Sequence, residues 1–180
     1  RAGGINHMAF FLSFEERCSD GTWRDLYPAL RRGYREGRFP KATGANARCP
    51  NYVRYEVMKH FGLFVTESSE HFAEYVPWFL KSHRPDLIDK FQIPLDEYPK
   101  RCLEQIEEWQ DQIVAFKGAA NIDVKQSHEY AAEIMNAVVT GSPAVVYGNV
   151  PNQGYIPQLP SGASVEVPCL FDENGLQPTV

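Results

Sequence analysis

The chain is 180 residues long, 43% hydrophobic, 13% aromatic and 23% charged, with thirteen glycines and thirteen prolines. That composition builds a globular domain with a real core and excludes a disordered, fibrous or low-complexity chain. A formal net charge of −5 argues against nucleic acid as a partner, because neutralising phosphates needs a concentrated basic surface. No apolar stretch approaches the ~18–20 residues that cross a bilayer, so no membrane role is expected. Cys18, Cys49, Cys102 and Cys169 lie tens of residues apart with no C-x-x-C pair. Neither a zinc ribbon nor a dense disulfide framework fits that spacing, and a reducing cytoplasm is the expected compartment.

In chain order, Arg1-Ala2-Gly3-Gly4 leads straight into an apolar pattern without an initiating Met or a leader-like region, as expected of a piece of a longer protein. Residues 5–14 are apolar and β-prone up to Glu15-Glu16-Arg17 and predict one central strand buried on both faces. Residues 18–22 are a turn, 23–30 an extended or short helical segment interrupted at Pro28, and 33–50 a loop rich in Gly, Pro, Lys, Arg and Asn. Asn51 opens a helix that Gly62 ends. Ser68 or Ser69 opens another that runs toward Pro77 and Trp78. Helical spacing recurs over 85–91 and 95–116, and Ser127 can cap a helix through Val139, with His128, Glu129 and Glu133 near its positive end. Strands are predicted over 144–150 and 164–171, with a turn at 152–155. Strands at both ends around central helices predict an α+β domain.

Two constellations can carry chemistry. In Gly3-Gly4-Ile5-Asn6-His7 a flexible glycine entry sets an amide and an imidazole side by side where a strand begins, and imidazole is both a common metal ligand and an acid–base group. On the residues alone a structural role for that pair is the favoured alternative. In Thr66-Glu67-Ser68-Ser69-Glu70-His71, Glu67 and His71 stand one helical turn apart, a spacing at which carboxylate and imidazole share a proton or clamp a hydroxyl-rich ligand. The alternative is a capped helix with solvated acids. Phe72, Tyr75, Trp78 and Phe79 read as core rather than as a sugar-stacking platform. Cys169 after Pro168 reads as a small buried hydrophobe. No G-x-S-x-G, P-loop or G-x-G-x-x-G is present, so no self-contained nucleotide site is expected.

Five ordered blocks resemble the α-galactosidase branch of the family 4 glycoside hydrolases: 4–9 (Gly-Ile-Asn-His-Met-Ala), 65–78 around Thr66-Glu67-Ser68, 94–99, 148–150 and 165–169 (Val-Glu-Val-Pro-Cys). The resemblance spans nearly the whole chain. It implies the C-terminal domain, 1–180, of a two-domain enzyme, with a fold like the C-terminal domain of lactate and malate dehydrogenases and lacking the N-terminal Rossmann domain that holds NAD. It further implies an oxidation, elimination, addition and reduction sequence in place of two-carboxylate hydrolysis, with NAD and a divalent metal, usually manganese, as cofactors. Small α-galactosides such as melibiose are the implied substrates, and a homo-oligomer the implied assembly.

Residue by residue, His7 matches the family's metal-binding histidine and Asn6 a substrate contact beside it. The family's metal-binding cysteine belongs to the upstream domain, so none of the four cysteines here takes that role. Other branches place a Tyr or Asp base a few residues beyond a pair like Phe61-Gly62. That position falls near Ser68, which cannot act as a base without help from Glu67 or His71, so Glu67, Ser68 and His71 form the catalytic candidates and the base stays open among them. Two competing readings are an α-glucuronidase or α-galacturonidase of the same family, and a non-catalytic oligomerisation domain.

Overall fold

The computed structural model of the chain describes residues 1–38, 50–118, 127 and 129–179. Most of the loop expected over 33–50, and His128 at the expected helix start, therefore lie outside the described residues. The chain divides into two compact units, Arg1–Ile93 with Tyr130–Val180, and Pro94–Glu129.

In the first unit, the segment expected as one strand over 5–14 is a hairpin of β1 (Ala2–Ile5) and β2 (Met8–Phe11). Ile5 pairs with Met8, so Asn6 and His7 alone turn the chain. The apolar run conceals this turn because it is made by backbone conformation: His7 takes φ +62°, the left-handed region in which Asn, Asp and His are the best-tolerated side chains after glycine. Gly4 makes the hairpin possible. At φ +154°, a Cβ there would lie 2.7 Å from Ala9 Cα and 2.9 Å from the Met8 oxygen.

The hairpin joins a wholly antiparallel sheet in the order β2-β1-β6-β5. Its spine is β6 (Ser164–Asp172). Along one side runs β5 (Ala144–Pro151), in register from Ala144 opposite Phe171 to Pro151 opposite Ser164. The other side is shared by β1, through Gly4 opposite Glu166, and by β7 (Gly175–Pro178), which folds back on Cys169–Asp172. Alternation along β6 sends Val165, Val167 and Cys169 to one buried face, packed by Tyr155, Ile156 and Leu159 of the loop between β5 and β6. Asn152, 1% exposed, ties that loop down. Its amide nitrogen donates to the Ile156, Leu159 and Pro160 carbonyls, and its side-chain oxygen accepts the N–H groups of Gly154 and Ile156. Burial pushes the Cys169 thiol up, partly offset by a backbone hydrogen bond with Gly148, which agrees with its reading as a buried hydrophobe.

The remaining elements of this unit follow their local chemistry. A second, two-stranded sheet pairs β3 (Glu15–Arg17) with β4 (Trp23–Asp25). Pro28 does not interrupt a helix but starts one, α1 (Tyr27–Arg35), because a proline in the first turn removes only an N–H that has no helical partner. Gly62, at φ +78°, ends α2 (Tyr52–Phe61) as expected. Ser68 caps α3 (Ser69–Tyr75), which stops short of Pro77 because the residue before a proline is driven out of the helical region. α4 (Asp86–Phe91) follows. The core lies among β2 and these helices, around Val53, Val57, Val65, Phe72, Phe79 and Phe91. Ser127 does not cap the next helix. Its hydroxyl, in the second unit, accepts the Glu129 N–H at 3.2 Å, a local turn, and the helix expected there begins only at Ala131.

In the second unit α5 (Glu97–Gly118) is the long helix expected over 95–116, with Pro99 in its first turn. The first unit resumes with α6 (Ala131–Thr140), closed by Gly141 at φ +73°. No described helix is long and apolar enough to cross a membrane.

Candidate metal centre

Two local devices bring the sequence-predicted residues together. The hairpin presents His7 at its turn. The segment after α2 then runs beside β2: Phe10 and Val65 form an isolated antiparallel bridge, the Phe11 N–H donates to the Phe64 carbonyl at 2.9 Å, and the Thr66 N–H donates to the Ala9 carbonyl at 3.0 Å. The Tyr27 hydroxyl ties the same strands, donating to the Phe11 carbonyl and accepting the Phe64 N–H at 2.9 Å. Arg54 on α2 braces the segment from behind by donating to the Val65 carbonyl through Nε at 3.0 Å and Nη2 at 2.6 Å. Glu67, the next residue after this clamped stretch, consequently faces the hairpin turn. Ser68 then starts α3 by accepting the His71 N–H at 3.2 Å, which fixes His71 in the first turn and Tyr75 one turn further on the same face.

The resulting cluster is compact. Glu67 Oε2 lies 2.5 Å from His7 Nδ1, while Oε1 lies 3.4 Å from His71 Nδ1 and accepts the Ser68 N–H at 2.7 Å. The two imidazoles stand edge to face, centroids 5.7 Å apart, and Tyr75 stacks on the His7 ring at 4.9 Å with only 6° between planes. All three side chains are partly buried, at 32% exposure for His7, 22% for Glu67 and 36% for His71. One ligand atom from each of the three residues falls within 4.8 Å of the others. Imidazole nitrogens with a carboxylate oxygen make a donor set suited to a divalent transition metal.

Burial alone would raise the Glu67 carboxyl, but the Ser68 N–H, the hydrogen bond from His7 and the charges of His7 and His71 outweigh it and hold the group below its ordinary value. Glu67 is thus kept ionised and aimed at both rings. A second carboxylate stands nearby on β6. Glu166 is pushed above its ordinary value, first by burial and then by the negative charge of Glu67, with His7 pulling the other way.

Of the residues singled out in the sequence, His7, Glu67 and His71 converge and Ser68 joins them as a helix cap. Asn6 occupies the turn beside His7 and is exposed. Among the aromatic residues, Phe72 and Phe79 are buried as expected, whereas Tyr75 is 53% exposed and covers His7, and Trp78 is 41% exposed and stacks on Phe61. Glu166 escaped sequence reasoning. Its alternation with buried valines marks it as facing away from the packed loop, but only the β1–β6 register shows what it faces.

A sequence profile of the family 4 glycosyl hydrolase C-terminal domain matches residues 2–180. The α-galactosidase of Bacillus subtilis is 45% identical over 181 residues, covering 99% of this chain and 38% of that protein. The crystal structure of lplD from Bacillus subtilis superimposes with a TM-score of 0.80 at 22% identity, over 98% of this chain and 40% of that one. A 6-phospho-α-glucosidase from gut microorganisms, crystallised with NAD and Mn2+, gives a TM-score of 0.56 at 19% identity over 99% of this chain and 40% of its own. The chain therefore spans about two-fifths of the length of these relatives. With the profile matched from end to end and the Bacillus identity holding over nearly every residue, this chain belongs to family 4 of the glycosyl hydrolases, whose C-terminal domain it represents.

Proposed function

We propose that this chain is the metal- and sugar-binding part of an α-galactosidase that acts on small α-galactosides and depends on NAD and a divalent metal such as manganese. The observation that carries the reading is the convergence of His7, from a hairpin turn, with Glu67 and His71, from a helix start, in a chain 45% identical to an α-galactosidase. The antiparallel sheet with helices packed on it supports a domain of the lactate and malate dehydrogenase C-terminal type. The protein is further proposed to work as a cytoplasmic homo-oligomer.

The donor set fits a divalent cation, and His7, with Glu67 and His71 beside it, would hold it. Because Glu67 engages Nδ1 of His7, that ring's Nε2 is left as the outward donor; a carboxylate that fixes tautomer and ring orientation in this way is a recurrent support of metal-binding histidines. Tyr75 stacked on the ring limits its rotation. No glycine-rich phosphate loop occurs in the sequence, and NAD is proposed to be held mainly by sequence outside this chain. When both groups are bound, NAD would accept and return a hydride and the cation would draw electron density from a sugar oxygen, so that the glycosidic bond breaks by oxidation, elimination, addition and reduction. Asn6, exposed beside His7, is proposed to hydrogen-bond a sugar hydroxyl. Glu67, held ionised, and His71 are the groups able to take up a proton, while the Ser68 hydroxyl and N–H order both of them.

The test is hydrolysis of an aryl α-galactoside by the full-length protein with and without NAD, Mn2+ and a reductant. Activity that ignores NAD would overturn the redox route, and a higher kcat/KM on the galacturonide than on the galactoside would move the substrate to uronic acids.

A further inference from the structure

The two carboxylates of the site are in opposite states of use. Both oxygens of Glu67 are committed: Oε2 to His7, and Oε1 to the Ser68 N–H and His71. Glu166 has no such commitments. Among the described residues no hydrogen bond or ion pair reaches its carboxylate, although it is only half-exposed and near enough to feel the charges of Glu67 and His7. It also lies outside the group whose donor atoms fall within 4.8 Å of one another, so it neighbours the cation site without belonging to it.

Its cross-strand neighbours bring no charged partner to it. Directly opposite residues of an antiparallel pair share a face, and the partners of Glu166 are Gly4 on β1 and Asn149 on β5. Gly4 contributes no side chain, and Asn149 is exposed. A half-buried carboxylate with no protein donor among the described residues keeps its lone pairs free to accept strong, charge-assisted hydrogen bonds from a ligand. A pyranose offers hydroxyl donors around its ring and no charge to clash with two carboxylates.

We propose that Glu166 is a substrate-binding residue that accepts a hydrogen bond from a sugar hydroxyl at the site defined by His7, Glu67 and His71. This rests on the glycosidase reading above and adds to it a division of labour: Glu67 holds the imidazoles, and Glu166 holds the sugar. Asn149, beside it on β5, offers an amide to the same ring.

The experiment uses the full-length protein loaded with NAD and Mn2+, in wild-type form and as Glu166→Gln. The amide keeps the side chain's shape but weakens a charge-assisted hydrogen bond, so kcat/KM on the aryl α-galactoside falls about 10–100-fold, while Mn2+ affinity, read by titration, stays within about threefold. The second readout is competitive inhibition by galactose and its monodeoxy analogues, since energies add for independent groups and fail to add for groups in contact. At one ring position, removing the hydroxyl weakens binding to the wild type and weakens it much less in the variant. The proposal is overturned by kcat/KM within about twofold of wild type, by losses that add at every ring position, or by a fall in Mn2+ affinity matching the fall in activity, which would put Glu166 on the cation. Should Glu166→Gln fail to fold, Glu166→Asp, which keeps the charge and shortens its reach, is read by the same two measurements. A wild-type protein inert toward every glycoside overturns the glycosidase reading itself, an outcome separable from any difference between wild type and variant.

Discussion

Replacing Gly4 with alanine puts a methyl group into the one place the hairpin has no room for it. The Cβ would sit 2.7 Å from Ala9 Cα and 2.9 Å from the Met8 carbonyl oxygen, and both obstacles are backbone, so no side chain can swing aside. The residue would also keep φ near +154°, a strain of about 1–3 kcal/mol for a side-chain-bearing residue, to which forced overpacking adds about 1–3 kcal/mol. Gly21 is the control: it has φ +85° and nothing within 4 Å of its virtual Cβ, so Gly21→Ala carries only the conformational part, about 1 kcal/mol. At about 2–4 °C per kcal/mol for a domain of this size, calorimetry should find Gly4→Ala lowered by on the order of 10 °C and Gly21→Ala by about 3 °C. Because the same hairpin aims His7, Gly4→Ala should also weaken Mn2+ binding, which Gly21→Ala leaves alone. Equal melting of the two variants would refute the account of why this hairpin turns at Asn6 and His7.

Glu67→Gln removes the charge and one of the two acceptor oxygens that orient His7 and His71, and losing such a support costs about 10–100-fold in metal affinity, to be read by Mn2+ titration of the folded protein. The same variant has a pH signature in the metal-free protein. The Glu67 carboxyl is held below its ordinary 4.5, so its contribution to stability is present above that value and lost as pH falls through the lower folded-state value; Glu67→Gln should flatten the acid end of the melting temperature against pH. The Tyr34 phenol is pushed up to about 12 by burial and by its hydrogen bond to the charged Glu56. Its contribution is therefore complete below the ordinary 10.0 and lost between there and about 12, and Tyr34→Phe should remove the latest-ionising phenol from an absorbance titration. Asn152→Ala strips three part-buried amide hydrogen bonds from the loop that covers Val165 and Val167, each worth about 0.5–1.5 kcal/mol, and should lower the denaturation midpoint in urea.

What was legible in the sequence was whatever a single segment decides for itself. The Gly62 stop and the Ser68 cap follow from local backbone chemistry and stand where the residue types put them. The hairpin was missed because an apolar run of residues 5–14 has the same hydrophobicity whether it continues straight or doubles back, and the decisive feature is the left-handed conformation of His7 opposite a glycine that tolerates close approach. Ser127 misled in the opposite sense, since a serine that accepts an N–H two residues on makes a turn as readily as it starts a helix.

The site divides along the same line, and the division says why it is built as it is. Glu67 and His71 could be paired from their one-turn spacing, because one helix start fixes both. His7 lies sixty positions from Glu67, and no periodicity links them; they meet because the Thr66 N–H reaches the Ala9 carbonyl and Arg54 holds the strand from behind. Glu166 needed a longer connection still, through the register of β6 against Gly4. A centre assembled from a turn, a helix start and a central strand has no single segment whose movement carries all its groups along. It follows that Arg54, by clamping the strand that carries Glu67, is part of what sets the His7–Glu67 distance: loosening that strand lets Glu67 retreat from the turn while His7 and His71 each keep their own local geometry.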